Sequence, residues 1–212
     1  MINCLVLGTG GHCRSLLSIL QEKSDRQYQI QGLVDTQQVM CDESILGVKV
    51  IGSVNDLGVY FADGIKVLFL AIGDNRQRAF YYELAKNIGF ELPNLVAEDA
   101  YIAQTAILGD GNLICHYAHL GPMANIGNGN ILNTGSILEH ESTIGDFCHL
   151  APSSVISGRS HLGNSVFLGV NATIIDKINV CDEVTIGAGG VVVKDIIGPA
   201  GIYVGVPARR VS

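Results

Sequence analysis

Hydrophobic residues recur at every sixth position through the second half of the chain. The series runs from Leu108 to Val192 without insertion, and every position holds Leu, Ile or Val. Val96 and Ile102 extend it towards the N-terminus. A period of six fits neither an amphipathic helix nor an alternating strand; it is typical of a hexapeptide solenoid, in which three hexads close one triangular coil. The pattern therefore predicts an all-β prism of stacked coils.

Most hexads also have a small residue two places before the aliphatic one, and often a glycine directly after it. We expect the aliphatic residue to point into the prism, the small residue to fit a crowded corner, and glycine or asparagine to serve the turn. Three hexads per coil place residues 18 apart above one another. One face is then formed by Leu120, Leu138, Ile156, Ile174 and Val192, and another by Ile114, Leu132, Leu150, Leu168 and Ile186.

The first half of the chain alternates strand and helix patterns instead. Strands are predicted at 2–7, 28–35 and 66–73, and helices at 14–23 and 75–88. Asp74 is the expected N-cap of the second helix and Gly89 its end. Such alternation favours an α/β, Rossmann-like domain with a small parallel, doubly wound sheet. Pro93 marks the passage into the solenoid, so the expected domains are 1–92 and 93–212.

Composition narrows the possible partners and the compartment. The net charge is −7 and no basic run occurs, which disfavours nucleic acid as a partner. No apolar run is long enough to span a bilayer, so we expect no membrane partner and a cytoplasmic location. The six cysteines form no CxxC pair, which favours free thiols in a reducing compartment; they are Cys4, Cys13, Cys41, Cys115, Cys148 and Cys181.

A glycine turn follows the first predicted strand. Gly8 and Gly10 match the start of a dinucleotide fingerprint, but its third glycine position holds Cys13, so the motif is weak evidence for NAD. A glycine turn before a helix still accepts a phosphate, and Asp35, at the end of the next strand, is placed to accept donors from a ribose or base. A nucleotide-linked ligand is favoured over a redox cofactor. A tight turn without ligand is the alternative.

Five of the six histidines lie in the solenoid: His116, His119, His140, His149 and His161. Each alone is compatible with a solvated position on the outer wall. His140 and Glu141 differ, because they are adjacent in the turn after Leu138, with Gly158 stacked one coil above. A neighbouring carboxylate holds the tautomer of an imidazole and raises its basicity. His149 precedes an inward leucine and is expected to face outward.

Several motifs together resemble a bacterial family of sugar acyltransferases. They are "GTGGH" at 8–12, Asp35, "AIGDN" at 71–75, "ILNTGSILEHESTIGDFCHLAP" at 131–152, "FLGVNATI" at 167–174 and "GVPARR" at 205–210. The family includes UDP-4-amino-sugar N-acetyltransferases of the bacillosamine pathway and sialic acid O-acetyltransferases, and the resemblance covers essentially the whole chain. It implies a left-handed parallel β-helix, assembled as a homotrimer with active sites between subunits.

The resemblance also implies roles for individual residues. His140 resembles the general base, and Glu141 its partner. The positions that match the sugar-nucleotide site are Gly10, Gly11, His12, Asp35, Thr36, Gly73 and Asn133. The positions expected to bind acetyl-CoA, the co-substrate, are His149, Gly158, Val170 and Ala188, with Lys194 and Arg209, and beside it Arg210, as candidates for its phosphates. No metal is required.

The predicted function is acetyl-CoA-dependent N-acetylation of the 4-amino group of a nucleotide-activated sugar, UDP-linked, in bacterial surface glycan biosynthesis. A thioester is reactive enough for direct attack, so one base and accurate positioning suffice. Thr36 departs from the second acidic residue that bacillosamine-type enzymes can carry, which leaves the nucleotide and the sugar open.

Three alternatives remain at this point. The first is O-acetylation of a sialic-acid-like sugar. The second is a zinc hydratase resembling γ-class carbonic anhydrases, although the histidine spacings 116/119, 140/149 and 149/161 lack that family's H-x4-H pairing. The third is a non-catalytic binding scaffold, which leaves His140 and Glu141 unexplained.

Overall fold

The chain divides into two compact units, Met1–Leu95 and Val96–Ser212, and the division falls three residues beyond the expected boundary. The computed structural model describes residues 1–25, 27–37 and 43–211, so the prediction for Cys41 lies outside the described residues. Within these ranges, no helix is both long and apolar enough to cross a membrane.

The first unit is a five-stranded sheet with helices. Its elements are β1 (Ile2–Leu7), α1 (Gly11–Glu22), β2 (Tyr28–Asp35), β3 (Ser44–Ile45), β4 (Val48–Ser53), α2 (Leu57–Ala62), β5 (Val67–Leu70) and α3 (Asn75–Ile88). The strand order is β3-β4-β2-β1-β5, and all neighbours are parallel except β3 and β4. The core residues Cys4 to Leu7 are fully buried, as expected for a central parallel strand.

The predicted elements of this unit are confirmed with shifted bounds. β1, β2 and α3 have the predicted limits, and Asp74 and Gly89 cap α3 as expected. The limits of two other elements were wrong: the helix predicted at 14–23 is Gly11–Glu22, and the strand predicted at 66–73 is regular only over Val67–Leu70. The short elements β3, β4 and α2 were not predicted.

The second unit is the hexapeptide solenoid, a left-handed parallel β-helix. Its strands are β6 (Leu95–Val96), β7 (Tyr101–Ile102), β8 (Ile107–Leu108), β9 (Leu113–Ile114), β10 (His119–Leu120), β11 (Asn125–Ile126), β12 (Ile131–Leu132), β13 (Ile137–Leu138), β14 (Thr143–Ile144), β15 (His149–Leu150), β16 (Val155–Ile156), β17 (His161–Leu162), β18 (Phe167–Leu168), β19 (Thr173–Ile174), β20 (Asn179–Val180), β21 (Val184–Ile186), β22 (Val191–Val192), β23 (Gly201–Val204) and β24 (Arg209–Arg210).

Three parallel sheets form the walls of the prism. Their strand orders are β22-β19-β16-β13-β10-β7, β20-β17-β14-β11-β8 and β24-β23-β21-β18-β15-β12-β9-β6, with β23 and β24 antiparallel. Leu120 pairs with Leu138 and Leu138 with Ile156, which confirms the predicted stacking of residues 18 apart. The aliphatic series fills the interior, and the small corner residues are buried; Ser160, for example, donates to the carbonyl of Ile175.

The predicted role of the glycines was wrong in one respect. The left-handed turn residues are mostly not glycine: Glu141, Arg159 and Lys177 have φ of 58°, 60° and 60°. The glycines that follow the aliphatic residues instead allow consecutive coils to stack closely. A Cβ on Gly163 would lie 2.8 Å from the backbone nitrogen of Asp182, one coil above. Glycine is therefore needed there because of the neighbouring backbone, not because of its own φ.

Candidate active site

The first unit contains a cavity of about 340 Å³ at the carboxyl ends of its strands. Its lining residues are Gly8, Thr9, Gly10, Gly11, His12, Thr36, Ala71, Ile72, Gly73, Asp74 and Gln77. The structure thus brings together five residues that were predicted for the sugar-nucleotide site and lie far apart in sequence. The carboxyl edge of an open parallel sheet is where α/β folds bind nucleotides.

The glycine turn gives this cavity an unobstructed helix N-terminus. Gly8 has φ of +112°, and a Cβ there would lie 2.8 Å from the carbonyl oxygen of Ala71. Gly10 caps α1 without a side-chain hydrogen bond, whereas Asp74 caps α3 by accepting from the backbone N–H of Gln77 at 2.8 Å. No side chain therefore caps the N-terminus of α1, where the helix dipole adds the positive potential that suits a phosphate.

Asp35 joins this site through Thr9. The Thr9 hydroxyl donates to Oδ2 of Asp35, and the backbone N–H of Gln37 donates to Oδ1 at 2.8 Å. Thr9 was not among the predicted site residues, although it lies inside the glycine motif. Its place between two glycines in the turn was the only signal. The contact ties the last residue of β2 to the turn after β1.

In the second unit, His140 and Glu141 form a side-chain pair in the turn after β13. Nδ1 of His140 lies 3.1 Å from Oε2 of Glu141, and the two side chains are about half exposed. Gly158 lies beside the ring: a Cβ on it would be 2.6 Å from Nε2 of His140. The pair therefore directs Nδ1 towards a carboxylate and leaves Nε2 facing space that only a glycine provides.

Arg159 is a third member of this cluster that the sequence analysis missed. Its Nε donates to Oε2 of Glu141 at 3.0 Å. The side-chain hydrogen bond from Arg159, followed by that from His140, lowers the pKa of Glu141 below the usual value for a glutamate. The stacking rule was the available signal, because Arg159 is 18 residues after Glu141.

Asn133, which follows β12, and His149, which belongs to β15, form a separate cluster. Nδ2 of Asn133 lies 3.4 Å from Nε2 of His149, and the ring of Phe167 packs edge-on against the imidazole at 5.2 Å between centroids. Asn133 is in the turn before β13, while His140 is in the turn after it. Of the residues predicted to bind acetyl-CoA, Gly158 therefore adjoins His140 within one chain, whereas His149 lies with Asn133.

The residues expected to bind coenzyme A lie along two edges and at the C-terminal end. Val170 and Ala188 are exposed and one coil apart, in the same edge as Asn133. Lys194, Arg209 and Arg210 line one cavity of about 170 Å³ together with Tyr203 and Asp195. β24 folds back on β23 and so brings the two arginines to Lys194, where three cations suit a phosphate-rich ligand.

The remaining histidines and cysteines have other surroundings. His116 pairs with Asp99 at 2.8 Å, His119 stacks on Tyr101, and His161 contacts the hydroxyl of Thr143. Burial raises the pKa of Cys4 and of Cys115 to about 12, which keeps these thiols protonated and unreactive. No three His, Cys, Asp or Glu residues in the described ranges are grouped as metal ligands.

Comparisons with known proteins agree with this arrangement. Residues 3–84 match the family model of the PglD N-terminal domain. The chain is 32% identical to PerB from Caulobacter crescentus, solved in complex with CoA and GDP-perosamine, over 98% of this chain and 96% of that one, with a TM-score of 0.90.

Two further solved structures are similar over their whole length. The acetyltransferase domain of PglB from Neisseria gonorrhoeae FA1090 is 27% identical over 100% of both chains, with a TM-score of 0.91. WeeI from Acinetobacter baumannii AYE shares the fold at 24% identity over 99% of both chains, with a TM-score of 0.85. A search of curated proteins finds no match.

Proposed function

Because this chain belongs to the hexapeptide-repeat family of sugar N-acetyltransferases with a PglD-type N-terminal domain, we propose that it acetylates the 4-amino group of a UDP-linked sugar with His140 as general base. It is a coenzyme A-dependent transferase of nucleotide-linked amino sugars. The observation that carries the proposed base is the His140–Glu141 pair, with Nε2 beside Gly158.

The geometry of the pair supports a separate role for each residue. Glu141 accepts from Nδ1–H of His140, which leaves the lone pair on Nε2 for the substrate. The sugar amine attacks the thioester carbonyl of acetyl-CoA while Nε2 takes the amine proton. Collapse of the tetrahedral intermediate breaks the carbon–sulfur bond, and His140 returns the proton to the leaving thiolate. No covalent enzyme intermediate is needed.

The nucleotide is proposed to occupy the cavity of the first unit, with its phosphates at the N-terminus of α1 and its ribose or base at Asp35. UDP follows from the resemblance to bacillosamine-pathway enzymes. GDP is the second candidate, favoured by the complex of PerB with GDP-perosamine. A coenzyme A release assay with UDP-, GDP-, dTDP- and CMP-linked 4-amino sugars separates them, because only the correct nucleotide gives a low KM.

Homotrimeric assembly and a cytoplasmic location are further parts of the proposal. Two clusters on different edges of one prism, His140–Glu141 and Asn133–His149, support a site completed between subunits. Protonated buried thiols such as Cys4 and Cys115 suit a reducing compartment.

The test of the base is His140→Ala. We expect kcat for coenzyme A release to fall at least about a hundredfold, the usual contribution of a general base. His161→Ala is the matched control, since this histidine is also exposed on the solenoid but contacts Thr143. Near-normal kcat for His140→Ala would show that another group accepts the proton.

A further inference from the structure

Arg159 contacts both members of the proposed catalytic pair. Its backbone N–H donates to the carbonyl oxygen of His140 at 3.0 Å, and its Nε donates to Oε2 of Glu141 at 3.0 Å. The same Oε2 lies 3.1 Å from Nδ1 of His140. One carboxylate oxygen therefore receives the arginine and faces the imidazole.

This arrangement restricts a side chain that is otherwise free to move. Glu141 is half exposed, and a solvated glutamate samples several rotamers that would take its carboxylate away from the imidazole. A charge-assisted hydrogen bond from Arg159, one coil above, fixes the same carboxylate oxygen that faces the imidazole. Glu141 is in turn the group that sets which imidazole nitrogen carries the proton.

We propose that Arg159 is a positioning residue for acetyl transfer: it holds Glu141 in the rotamer that makes Glu141 an acceptor for Nδ1–H of His140. The inference rests on the proposed role of His140 as base. Arg159 acts through Glu141, so replacing Arg159 should lower kcat without affecting the binding of acetyl-CoA.

Other charged groups around the pair are few in the described structure. Glu139 precedes His140, and its carboxylate accepts from the backbone N–H of His140 at 3.2 Å. Asp176 and Lys177 lie one coil beyond Gly158 and Arg159, where they pair with each other at 3.6 Å. On the opposite side, the coil carries the uncharged Pro122 and Met123.

Lys177 provides a matched control. It occupies the same turn position as Arg159, one coil further along, with the same φ of 60°. Replacing either residue with glutamine removes one positive charge from an exposed left-handed turn. Only the replacement at 159 removes the hydrogen bond to Glu141.

The experiment compares Arg159→Gln, Arg159→Lys and Lys177→Gln in the full chain. For Arg159→Gln we expect kcat to fall about tenfold, the order of effect that misplacing a catalytic group produces, with KM for acetyl-CoA unchanged. Arg159→Lys should recover part of the loss, and Lys177→Gln should keep the original kcat. Normal kcat in Arg159→Gln, or an equal loss in Lys177→Gln, would overturn the proposal.

A second measurement does not depend on catalysis. Carbon-13 NMR of the Glu141 carboxyl group follows its titration, for which Arg159 is the main cause of the lowered pKa. Since the pKa is lowered in the original chain, Glu141 stays ionised to a more acidic pH; in Arg159→Gln the titration of Glu141 should move to higher pH. An unchanged titration would refute the contact, whatever the outcome for His140→Ala.

The two readouts separate this inference from the proposed function. If His140→Ala keeps normal turnover, the assignment of the base fails, while the titration still decides whether Arg159 holds Glu141. If the titration moves but kcat does not, Arg159 binds Glu141 without positioning a catalytic group, and the inference fails while the general base stands.

Discussion

His140 and Glu141 owe their geometry to residues that follow them by a full coil. Gly158 leaves space beside the ring of His140, and Arg159 fixes the carboxylate of Glu141. The sequence predicted the first relation, because the hexad register places Gly158 above His140. It did not predict the second, because a polar residue in a turn gives no periodic signal and its side-chain direction depends on local rotamers.

The space beside His140 should be sensitive to a single methyl group. In Gly158→Ala the new Cβ would lie 2.6 Å from Nε2, so the imidazole must turn away. We expect kcat to fall at least about tenfold, since a displacement near 1 Å costs up to a hundredfold. The thermal midpoint should change little, because the ring is half exposed and moves into solvent.

The matched substitution for Gly158→Ala is Asp176→Ala, one coil further along the same edge. It leaves the surroundings of His140 intact, so kcat should stay near that of the original chain. If Gly158→Ala kept full activity, the open space beside Nε2 would have no role in the reaction.

Strands and helices were predicted well where the hydrophobic pattern was long. The solenoid repeats over fifteen hexads from Leu108 to Val192, and α3 shows both of its caps in the sequence. The elements β3, β4 and α2 were missed because each has only two to six residues, too few to show a hydrophobic period. The role of the hexad glycines was misjudged, because backbone stacking between coils is invisible until the coils are placed.

The repeat also makes a prediction about the stability of its core. Leu150 is fully buried in the middle of a wall, so Leu150→Ala should reduce the free energy of unfolding by about 2–5 kcal/mol. Leu108, near the start of the solenoid, is only half buried, so Leu108→Ala should reduce the free energy of unfolding by less than Leu150→Ala does. Urea denaturation followed by far-ultraviolet circular dichroism measures both. An equal reduction in the free energy of unfolding for both variants would contradict the prediction that the effect of each substitution depends on burial.

For the molecule as a whole, the sequence predicted two units and the type of each, because period six and alternating strand and helix patterns are distinct signals. It could not establish which site residues lie close to one another, because this depends on how copies of the chain assemble. Asn133 follows β12 and contacts His149 of the neighbouring strand β15, whereas His140 and Glu141 lie in the turn after β13. In the proposed homotrimer, we expect one cluster of each chain to lie beside the other cluster of its neighbour.

Mixing two inactive variants tests this arrangement. His140→Ala and His149→Ala should each show low kcat alone. In trimers formed from equal amounts of both chains, an interface is intact when one chain supplies His140 and its neighbour supplies His149. Random assortment makes about a quarter of the interfaces intact, so about a quarter of the original activity should return. If both residues instead served a site within one chain, every site in the mixture would carry one substitution, and no activity would return.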